Sequence, residues 1–227
     1  MGPNVESGYL VAKIVVNSFS VSLDGFGAGP NQSLDNPLGV GGRQLHEWVF
    51  ATKTGRKMIG ESGGDDGVDD DVFRRNLEAT GPVIMGRNMF GPVRGTWDDS
   101  DWRGWWGEEP PYRGPVFVLT HYDRPDLAVG ETTFYFVSGG IDEAVRRARD
   151  VAGESDIHVG GGVGTIHMFL EAQLIDEMWL AVVPIHLGAG ERLFNTLDDW
   201  PAGYQRGREV KGEGATHLQL LRIDTPQ

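Results

Sequence analysis

The stretch DIHVGGGVGTIHMFLEA (residues 156–172) joins an apolar strand pattern, a run of glycines and an apolar helix pattern. The glycines Gly160–Gly162 end the strand pattern, and Gly164 and Thr165 open the helix pattern. A strand that runs through glycines into a helix N-terminus is typical of phosphate binding, because the ligand can approach bare backbone and the free N–H groups attract an anion. Thr165 is a candidate cap for this helix.

This run departs from the dinucleotide-binding fingerprint G-x-G-x-x-G. It reads G-G-G-V-G-T and lacks the third glycine at its required place. His186 stands where an acidic partner for a ribose would be expected at the end of the next strand. A tight packing turn between strand and helix is therefore the alternative interpretation of the glycines.

Two further strand ends carry cationic side chains. In PVIMGRNMF, Gly86 and Arg87 directly follow an apolar strand pattern, and in VLTHYDR, Thr120, His121 and Arg124 follow another. A guanidinium at a strand end can bind a phosphate through two parallel hydrogen bonds. In a chain of net charge −13, these groups indicate a local anion site.

Composition excludes several function classes. The strongly acidic balance argues against nucleic acid and anionic membranes as partners. The 227 residues include no cysteine, and the six histidines have no metal-ligand spacing, so we expect no metal site. No apolar run approaches the ~20 residues of a membrane span. We expect a cytoplasmic protein with a disordered segment over residues 1–12 and a single domain over 13–227.

Strand and helix patterns alternate through the middle of the chain, and the end is rich in strand patterns. This order predicts an α/β fold with a central, mostly parallel sheet flanked by helices and an antiparallel C-terminal edge. Residues 43–60 have helical spacing, residues 61–71 form an acidic, glycine-rich stretch that we predict to be a mobile loop, and DVFRRNLEAT reads as a short helix. The segment from Gly27 to Asp71 carries the least motif-like sequence.

Taken together, PVIMGRNMF and HVGGGVGTIHMFLEAQLIDEMWLAVVPIHLGAGERLF resemble the dihydrofolate reductase superfamily. The nearer resemblance is to stand-alone relatives of the reductase domain of bacterial riboflavin biosynthesis, which SVSLDGFGAGP, LGVGGRQLHEWVF, VFVLTHYDRP and THLQLLRI also match. It covers roughly residues 13–223. It implies a dihydrofolate reductase-like fold, NADPH as hydride donor and a small heterocyclic substrate.

The resemblance also implies which residues bind the cofactor. The Gly-Arg turn would hold a cofactor phosphate, the LTH strand end would lie near the adenosine 2′-phosphate, the glycine run would hold the pyrophosphate, and SLDG would lie near the nicotinamide. The implied residues are Ser22, Leu23, Asp24, Gly86, Arg87, Asn88, Met89, Thr120, His121, Gly160, Gly161, Gly162, Val163, Gly164 and Thr165.

On the substrate side, Asp69 falls at the place of the acid that protonates the pterin in dihydrofolate reductases, four residues before Phe73. A buried carboxyl with a raised pKa would suit that role. The alternative is that three successive aspartates form a solvated helix start, with Asp69 one of several surface acids. Riboflavin-type reductases do not obviously need this acid.

The tryptophans Trp97, Trp102 and Trp105 crowd one loop and are candidates for the wall of a heterocycle pocket. The alternative is a loop that packs itself down with large rings. We predict an NADPH-dependent reductase, with a true dihydrofolate reductase and a non-catalytic nucleotide- or flavin-binding module as alternatives. From the resemblance we also expect a homodimer, joined through late strands such as residues 178–185.

Overall fold

A computed structural model describes residues 12–91, 95–97, 101–197 and 200–223. The predicted disordered segment lies outside these residues except for Ala12, and so do residues 98–100 of the tryptophan-rich loop. No helix in the described ranges is long and apolar enough to cross a membrane.

The strands are β1 (Ile14–Ser22), β2 (Phe26–Ala28), β3 (Val83–Gly86), β4 (Pro115–Leu119), β5 (Leu127–Val129), β6 (Thr132–Val137), β7 (Ile157–Gly161), β8 (Glu177–Val183), β9 (Glu191–Arg192), β10 (Tyr204–Lys211) and β11 (Thr216–Arg222). A 3-10 helix spans Gly42–His46. The α-helices are α1 (Glu47–Ala51), α2 (Lys53–Met58), α3 (Val68–Glu78), α4 (Arg87–Phe90), α5 (Gly140–Ala152) and α6 (Val163–Glu171).

Nine strands form one sheet in the order β10-β11-β8-β1-β7-β3-β4-β6-β5. The pairs from β8 across to β6 are parallel, whereas β11 and β10 add an antiparallel edge. Helices α5 and α6 pack into one core cluster with β1, β7 and β8, while α1 and α3 pack into another against β8. The predicted α/β architecture is confirmed.

The sequence of β8 reflects its position inside the sheet. Strands β1 and β11 bond to its two edges, and five of its seven residues are buried. A strand buried on both faces reads as a continuous apolar run. Both edges of β8 are paired within the sheet, so a second copy could not add to it as a neighbouring strand, and the dimer contact through residues 178–185 stays a prediction.

The continuous helix predicted over residues 43–60 is broken at Thr52, whose backbone is extended. The Thr52 hydroxyl accepts a hydrogen bond from the Gly55 N–H and so caps α2. The acidic stretch is anchored at the same break, because Asp65 exchanges backbone hydrogen bonds with Ala51 and Lys53. The prediction of a mobile loop over 61–71 is therefore wrong at its C-terminal part, where residues 68–71 form the first turn of α3.

Candidate cofactor cleft and buried acid cluster

The three turns singled out in the sequence meet at one edge of the sheet. Strands β7, β3 and β4 are parallel neighbours, with Met85 opposite Gly161 and Gly86 opposite Leu119. A methyl group on Gly86 would lie 2.3 Å from the Thr165 hydroxyl oxygen. The turn after β3 therefore lies directly against the first turn of α6, and Gly86 is small because these elements pack closely.

The glycine run divides into two kinds of position. A methyl on Gly160 would lie 3.0 Å from the Met89 sulfur, and one on Gly161 would lie 2.9 Å from the Phe19 ring. Gly161 also has φ +116, a left-handed conformation that favours glycine. These two glycines therefore serve packing of the chain itself, as the packing-turn alternative proposed.

Gly162 and Gly164 behave differently. No described atom lies within 4 Å of a methyl group built on either residue, and neither has positive φ. Their neighbours in the protein therefore do not explain why they are glycine. Open space beside a helix N-terminus can admit an anionic ligand close to the backbone.

Helix α6 begins at Val163 with Gly162 at its N-cap position and no side-chain cap. Its first backbone bond runs from the Ile166 N–H to the Gly162 carbonyl, so the N–H groups of the preceding turn have no acceptor within the helix. Thr165 is buried inside that turn, and its predicted capping role is therefore wrong. The helix presents free donors beside the two open glycines.

Arg87 begins α4 and reaches toward the segment 95–97. Its guanidinium donates to the backbone carbonyls of Gly95 and Thr96, and its central carbon lies 3.7 Å from the centroid of the Trp97 ring. Asn88, the next residue, accepts a hydrogen bond at its carbonyl from Trp105. The cation predicted to bind phosphate is thus held by backbone and an aromatic face.

The LTH strand end forms a compact turn. The buried Thr120 hydroxyl is 3.2 Å from both the backbone N–H and the carbonyl of Tyr122, whereas His121 is exposed. Leu119 pairs with Gly86 of the neighbouring strand, so Thr120 and His121 follow directly beside the turn that carries Arg87. The structure thus brings the second and third predicted turns side by side.

The SLDG turn ties two loops together. The Asp24 carboxylate accepts hydrogen bonds from the Ser22 hydroxyl, at 2.6 Å, and from the backbone N–H groups of Leu187 and Gly188. Leu23 is 43% exposed at the tip. Burial alone raises the pKa of Asp24, but these hydrogen bonds outweigh it and lower the pKa to about 2.

Replacing Asp24 by asparagine is expected to destabilise the protein by roughly 1–3 kcal/mol at neutral pH, since hydrogen bonds to a charged acceptor are lost. A depressed pKa contributes stability that is complete above the ordinary value and disappears as the carboxyl protonates. The difference between wild type and variant should therefore shrink as the pH falls from 3.8 through about 2. Denaturant unfolding between pH 7 and 2 measures it, and a difference independent of pH would contradict the assignment.

Asp69 lies in a buried cluster rather than on a solvated helix start. Its side chain is 3% exposed, one carboxylate oxygen lies 2.7 Å from Nε2 of His217, and the other accepts the Gly214 N–H at 2.6 Å. Asp70 is buried as well, so of the three aspartates only Asp71 is exposed. The interpretation of the acidic run as a solvated surface is wrong.

The turn between β10 and β11 completes this cluster. The Glu213 carboxylate accepts the backbone N–H groups of Val68 and Asp69 and thereby caps α3 from a distant part of the chain. A cavity of about 90 Å³ lies beside it, lined by Trp48, Ala51, Thr52, Asp65, Asp69, Glu213 and Gly214. Asp69 is one of the lining residues, but its carboxylate is hydrogen-bonded to two protein partners, His217 and Gly214.

The tryptophan-rich loop lies in the other half of the molecule. Trp97, Trp102 and Trp105 donate their indole N–H groups to the backbone carbonyls of Tyr122, Phe90 and Asn88, respectively. The rings of Trp97 and Trp102 pack over the β3-β4-β6 side of the sheet. His217 lies on β11, and five strands separate β11 from β6. The structure therefore does not bring these tryptophans together with Asp69.

Three residues that shape these sites lie outside the motifs singled out in the sequence. His217 and Glu213 contact Asp69 from about 145 residues away in sequence, and the Phe19 ring fills the space beside Gly161. The signal for His217 is a polar residue in the strand pattern THLQLL, where it occupies an inward position. Only the pairing of α3 with the terminal hairpin shows what that position contacts.

Comparison with known proteins gives one family. A family model described as the RibD C-terminal domain matches residues 13–200. No curated protein matches the chain.

Among solved structures, a riboflavin biosynthesis protein from Shewanella sp. PV-4 is 26% identical with a TM-score of 0.58, over 93% of this chain and 98% of that one. A dihydrofolate reductase from Enterococcus faecalis, complexed with NADP(H) and RAB-propyl, is 13% identical with a TM-score of 0.53, over 95% and 99%. A diaminohydroxyphosphoribosylaminopyrimidine deaminase/5-amino-6-(5-phosphoribosylamino)uracil reductase from Thermotoga maritima is 13% identical with a TM-score of 0.52, over 93% and 57%.

The last two likenesses show a dihydrofolate reductase-like fold. The family match covers most of the chain and includes all three turns of the cleft. The family match and the Shewanella structure support a reductase of the riboflavin biosynthesis kind, which is an oxidoreductase. The chain belongs to the RibD C-terminal domain family.

Proposed function

We propose that this protein is a reductase that transfers a hydride from NADPH to a small heterocyclic substrate of the pyrimidine or pterin kind. The observation that carries the proposal is the open space at Gly162 and Gly164, beside the uncapped N-terminus of α6 and next to the turn that carries Arg87. Family membership and the riboflavin biosynthesis protein of Shewanella support the same activity.

The residues of this edge fit a dinucleotide phosphate. The α6 N–H groups and the bare backbone at Gly162 would hold the pyrophosphate, and Arg87 would bind a further phosphate through its planar guanidinium. NADPH, when bound, supplies the hydride. The task of the protein is then to bind, to orient and to exclude water, because placing two reactants correctly removes much of the barrier.

The position of Asp69 favours the riboflavin-type reductase over a true dihydrofolate reductase. An acid that protonates a pterin must offer its carboxyl to the substrate, but both oxygens of Asp69 are hydrogen-bonded to His217 and Gly214. We therefore do not assign the role of proton donor to the Asp69 carboxyl. A heterocycle that takes its hydride from NADPH and its proton from water, not from a side chain of the protein, suits the site better.

Replacing Gly162 by alanine is expected to lower NADPH affinity ~10-fold or more, a change of about 1.4 kcal/mol, because the methyl group would enter the space of the ligand. The same methyl lies within 4 Å of no atom of the described residues, so stability should change by less than ~0.5 kcal/mol. Titration of nicotinamide fluorescence and thermal unfolding measure the two effects.

Gly114→Ala is the matched control, since Gly114 is equally open and also lacks positive φ but lies at the start of β4. Gly161→Ala should instead lose stability, because it combines positive φ with the contact to Phe19. If the Gly162→Ala protein does not fold, Gly162 has a structural role and the open space beside it is not evidence for a ligand. If wild type binds NADPH tightly but does not oxidise it with any compound of a pyrimidine and pterin panel, the non-catalytic nucleotide-binding module is favoured.

We also propose a homodimer in the cytoplasm, on the strength of the family resemblance. The charged edge strand β10 argues against pairing of sheets through that edge, because exposed charges oppose strand addition. Light scattering at micromolar concentration distinguishes a dimer from a single 24.8 kDa species.

A further inference from the structure

Polar side chains interrupt the central strand β1, which lies between β7 and β8. The register of β1 against β8 shifts between Val16 and Phe19, so Asn17 and Ser18 form a bulge. A strand inside a mostly parallel sheet is normally apolar throughout. Bulges are frequent next to active sites, where they re-aim a side chain. The half-buried Asn17 therefore occupies a place where packing alone would favour an apolar residue.

A histidine on the neighbouring strand fixes the orientation of the Asn17 amide. Nδ2 of Asn17 lies 3.0 Å from Nδ1 of His158 on β7, and Nε2 of His158 lies 3.1 Å from the Thr80 carbonyl. A carbonyl only accepts hydrogen bonds, and an amide nitrogen only donates them. This network assigns the imidazole proton to Nε2 and makes Nδ1 the acceptor. Turning the amide over would place Oδ1 against the Nδ1 lone pair, so the observed orientation is favoured.

His158 shares one face of the sheet with Gly160 on β7 and with Glu177 and Ala181 on β8. Val15 of β1 pairs with His158 on one side and with Glu177 on the other, so these side chains point the same way. Side chains two or four residues apart on a strand also share a face. The Asn17 side chain lies on this face as well, because it bonds to His158.

Two helices border the part of this face that lies over β1 and β7. A methyl built on Gly160 would lie 3.0 Å from the sulfur of Met89 in α4. On the other side, the indole N–H of Trp48 in α1 donates to the hydroxyl of Ser20, which pairs with Ala181. The polar pair therefore lies on the strip that separates α1 from α4. Its carboxyl end is the glycine turn of the candidate cofactor cleft.

The remaining edge of the Asn17 amide matches one kind of heterocycle edge. Within the part of the chain that the structure describes, the amide has no hydrogen bond besides that to His158, so Oδ1 and the second Nδ2 hydrogen are available. An acceptor beside a donor is complementary to a lactam, in which a ring N–H lies beside a C=O. An amidine edge, with a ring nitrogen beside an amino group, would place donor against donor in the same position.

We infer that Asn17, oriented by His158, recognises the lactam edge of the heterocycle that is reduced. It thereby sets a preference for oxo-pyrimidines and oxo-pterins over their amino counterparts. This inference rests on the proposed function and names the feature by which its substrate is selected. Asn17 is the specificity-determining residue, and His158 is a positioning residue that acts through it.

The test is calorimetric titration with two single-ring probes, 5,6-diaminouracil and 2,4,5,6-tetraaminopyrimidine, in which amino groups replace both C=O groups. Wild type should bind the uracil probe ~10-fold or more tightly than the other, because the wrong edge leaves polar groups unpaired. In Asn17→Ala the two affinities should agree within ~3-fold. Asn17→Asp presents two acceptors, which suit the neighbouring donors of a protonated amidine, and should reverse the preference.

The positioning role of His158 has its own pair of variants. His158→Phe keeps a ring but removes the acceptor, so the Asn17 amide is free to turn and the preference should fall below ~3-fold while NADPH affinity is unchanged. His158→Asn places an amide oxygen near the position of Nδ1 and should restore most of the preference. A histidine with only a structural role would lower the melting temperature in these variants and leave the preference intact, which would overturn the positioning role.

Ser18→Ala is the matched control, because it removes a second polar group of the same bulge, one whose hydroxyl has no hydrogen-bond partner among the described residues. Its preference should equal that of wild type. An equal loss of preference in Ser18→Ala, a preference retained in both Asn17 variants, or wild type that binds neither probe would overturn the inference. Wild type that discriminates between the probes but binds no NADPH would instead overturn the proposed function. If Asn17→Ala does not unfold cooperatively, Asn17→Asp carries the test, since lost stability cannot reverse a preference.

Discussion

Replacing Asp69 by alanine is expected to lower the free energy of unfolding by roughly 2–5 kcal/mol, because two hydrogen-bond donors lose their acceptor. These donors are the half-buried Gly214 N–H in the β10–β11 turn and the buried ring of His217 on β11. In a domain of this size such a loss corresponds to a fall in melting temperature of roughly 5–15 °C. Thermal and denaturant unfolding measure it.

Nδ1 of His217 is buried and has no hydrogen-bond partner among the described residues. Losing the Asp69 carboxylate would therefore leave both ring nitrogens of His217 without a hydrogen-bond partner among these residues.

Asp71→Ala is the matched control, because it removes an exposed carboxylate from the same helical turn. Asp71 pairs with Arg74 at the surface, an interaction whose loss is expected to cost less than ~1 kcal/mol. Equal stability of the Asp69 and Asp71 variants would show that the buried cluster does not hold the hairpin to α3.

Asp69→Asn separates this clamp from the folate-type mechanism. If Asp69 holds α3 to the hairpin, the variant should lose stability while the turnover of the folded fraction is retained. If it is the acid that protonates a pterin, turnover should fall ~10²-fold or more, and wild-type turnover should decline as the pH rises through the pKa of that acid. Rates corrected for the folded fraction, measured against pH, decide between the two.

Replacing Arg87 by alanine is expected to weaken NADPH binding ~10- to 100-fold, or about 1.5–3 kcal/mol, since a charge-assisted contact to phosphate is lost. NADH lacks the phosphate monoester, so we expect wild type to bind NADPH more tightly and the variant to lose part of that preference. Calorimetric titration with both nucleotides measures the change.

Arg146→Ala is the control for net charge, because Arg146 is exposed on α5 and pairs only with Asp150 among the described ion pairs. Its loss should leave both affinities unchanged. Wild type that binds the two nucleotides equally, with no change on replacing Arg87, would contradict the phosphate assignment. Melting temperatures accompany the titration because Arg87 also bonds to Gly95 and Thr96.

Sequence patterns predicted the architecture and the turns at the cleft because both depend on local order. An apolar strand followed by glycine and then by helical spacing dictates a strand–turn–helix unit whatever lies elsewhere in the chain. Parallel strands then bring the turns of Gly86, Thr120 and Gly162 to one edge. The prediction of one helix over residues 43–60 was wrong because Thr52 is extended and caps a second helix. The extended backbone of Thr52 also pairs with Asp65, a contact that the helical spacing of the sequence does not reveal.

The same sequence determined that residues 156–172 form a strand, a bare turn and a helix, since glycine spacing and apolar periodicity are properties of the chain itself. Only the tertiary structure decided which glycines have open space beside them, because Phe19 and Met89 fill the space beside Gly161 and Gly160. It also decided that Asp69 is buried, through a histidine about 150 residues away. Burial and hydrogen bonding of a side chain depend on neighbours across the fold, and no local pattern encodes them.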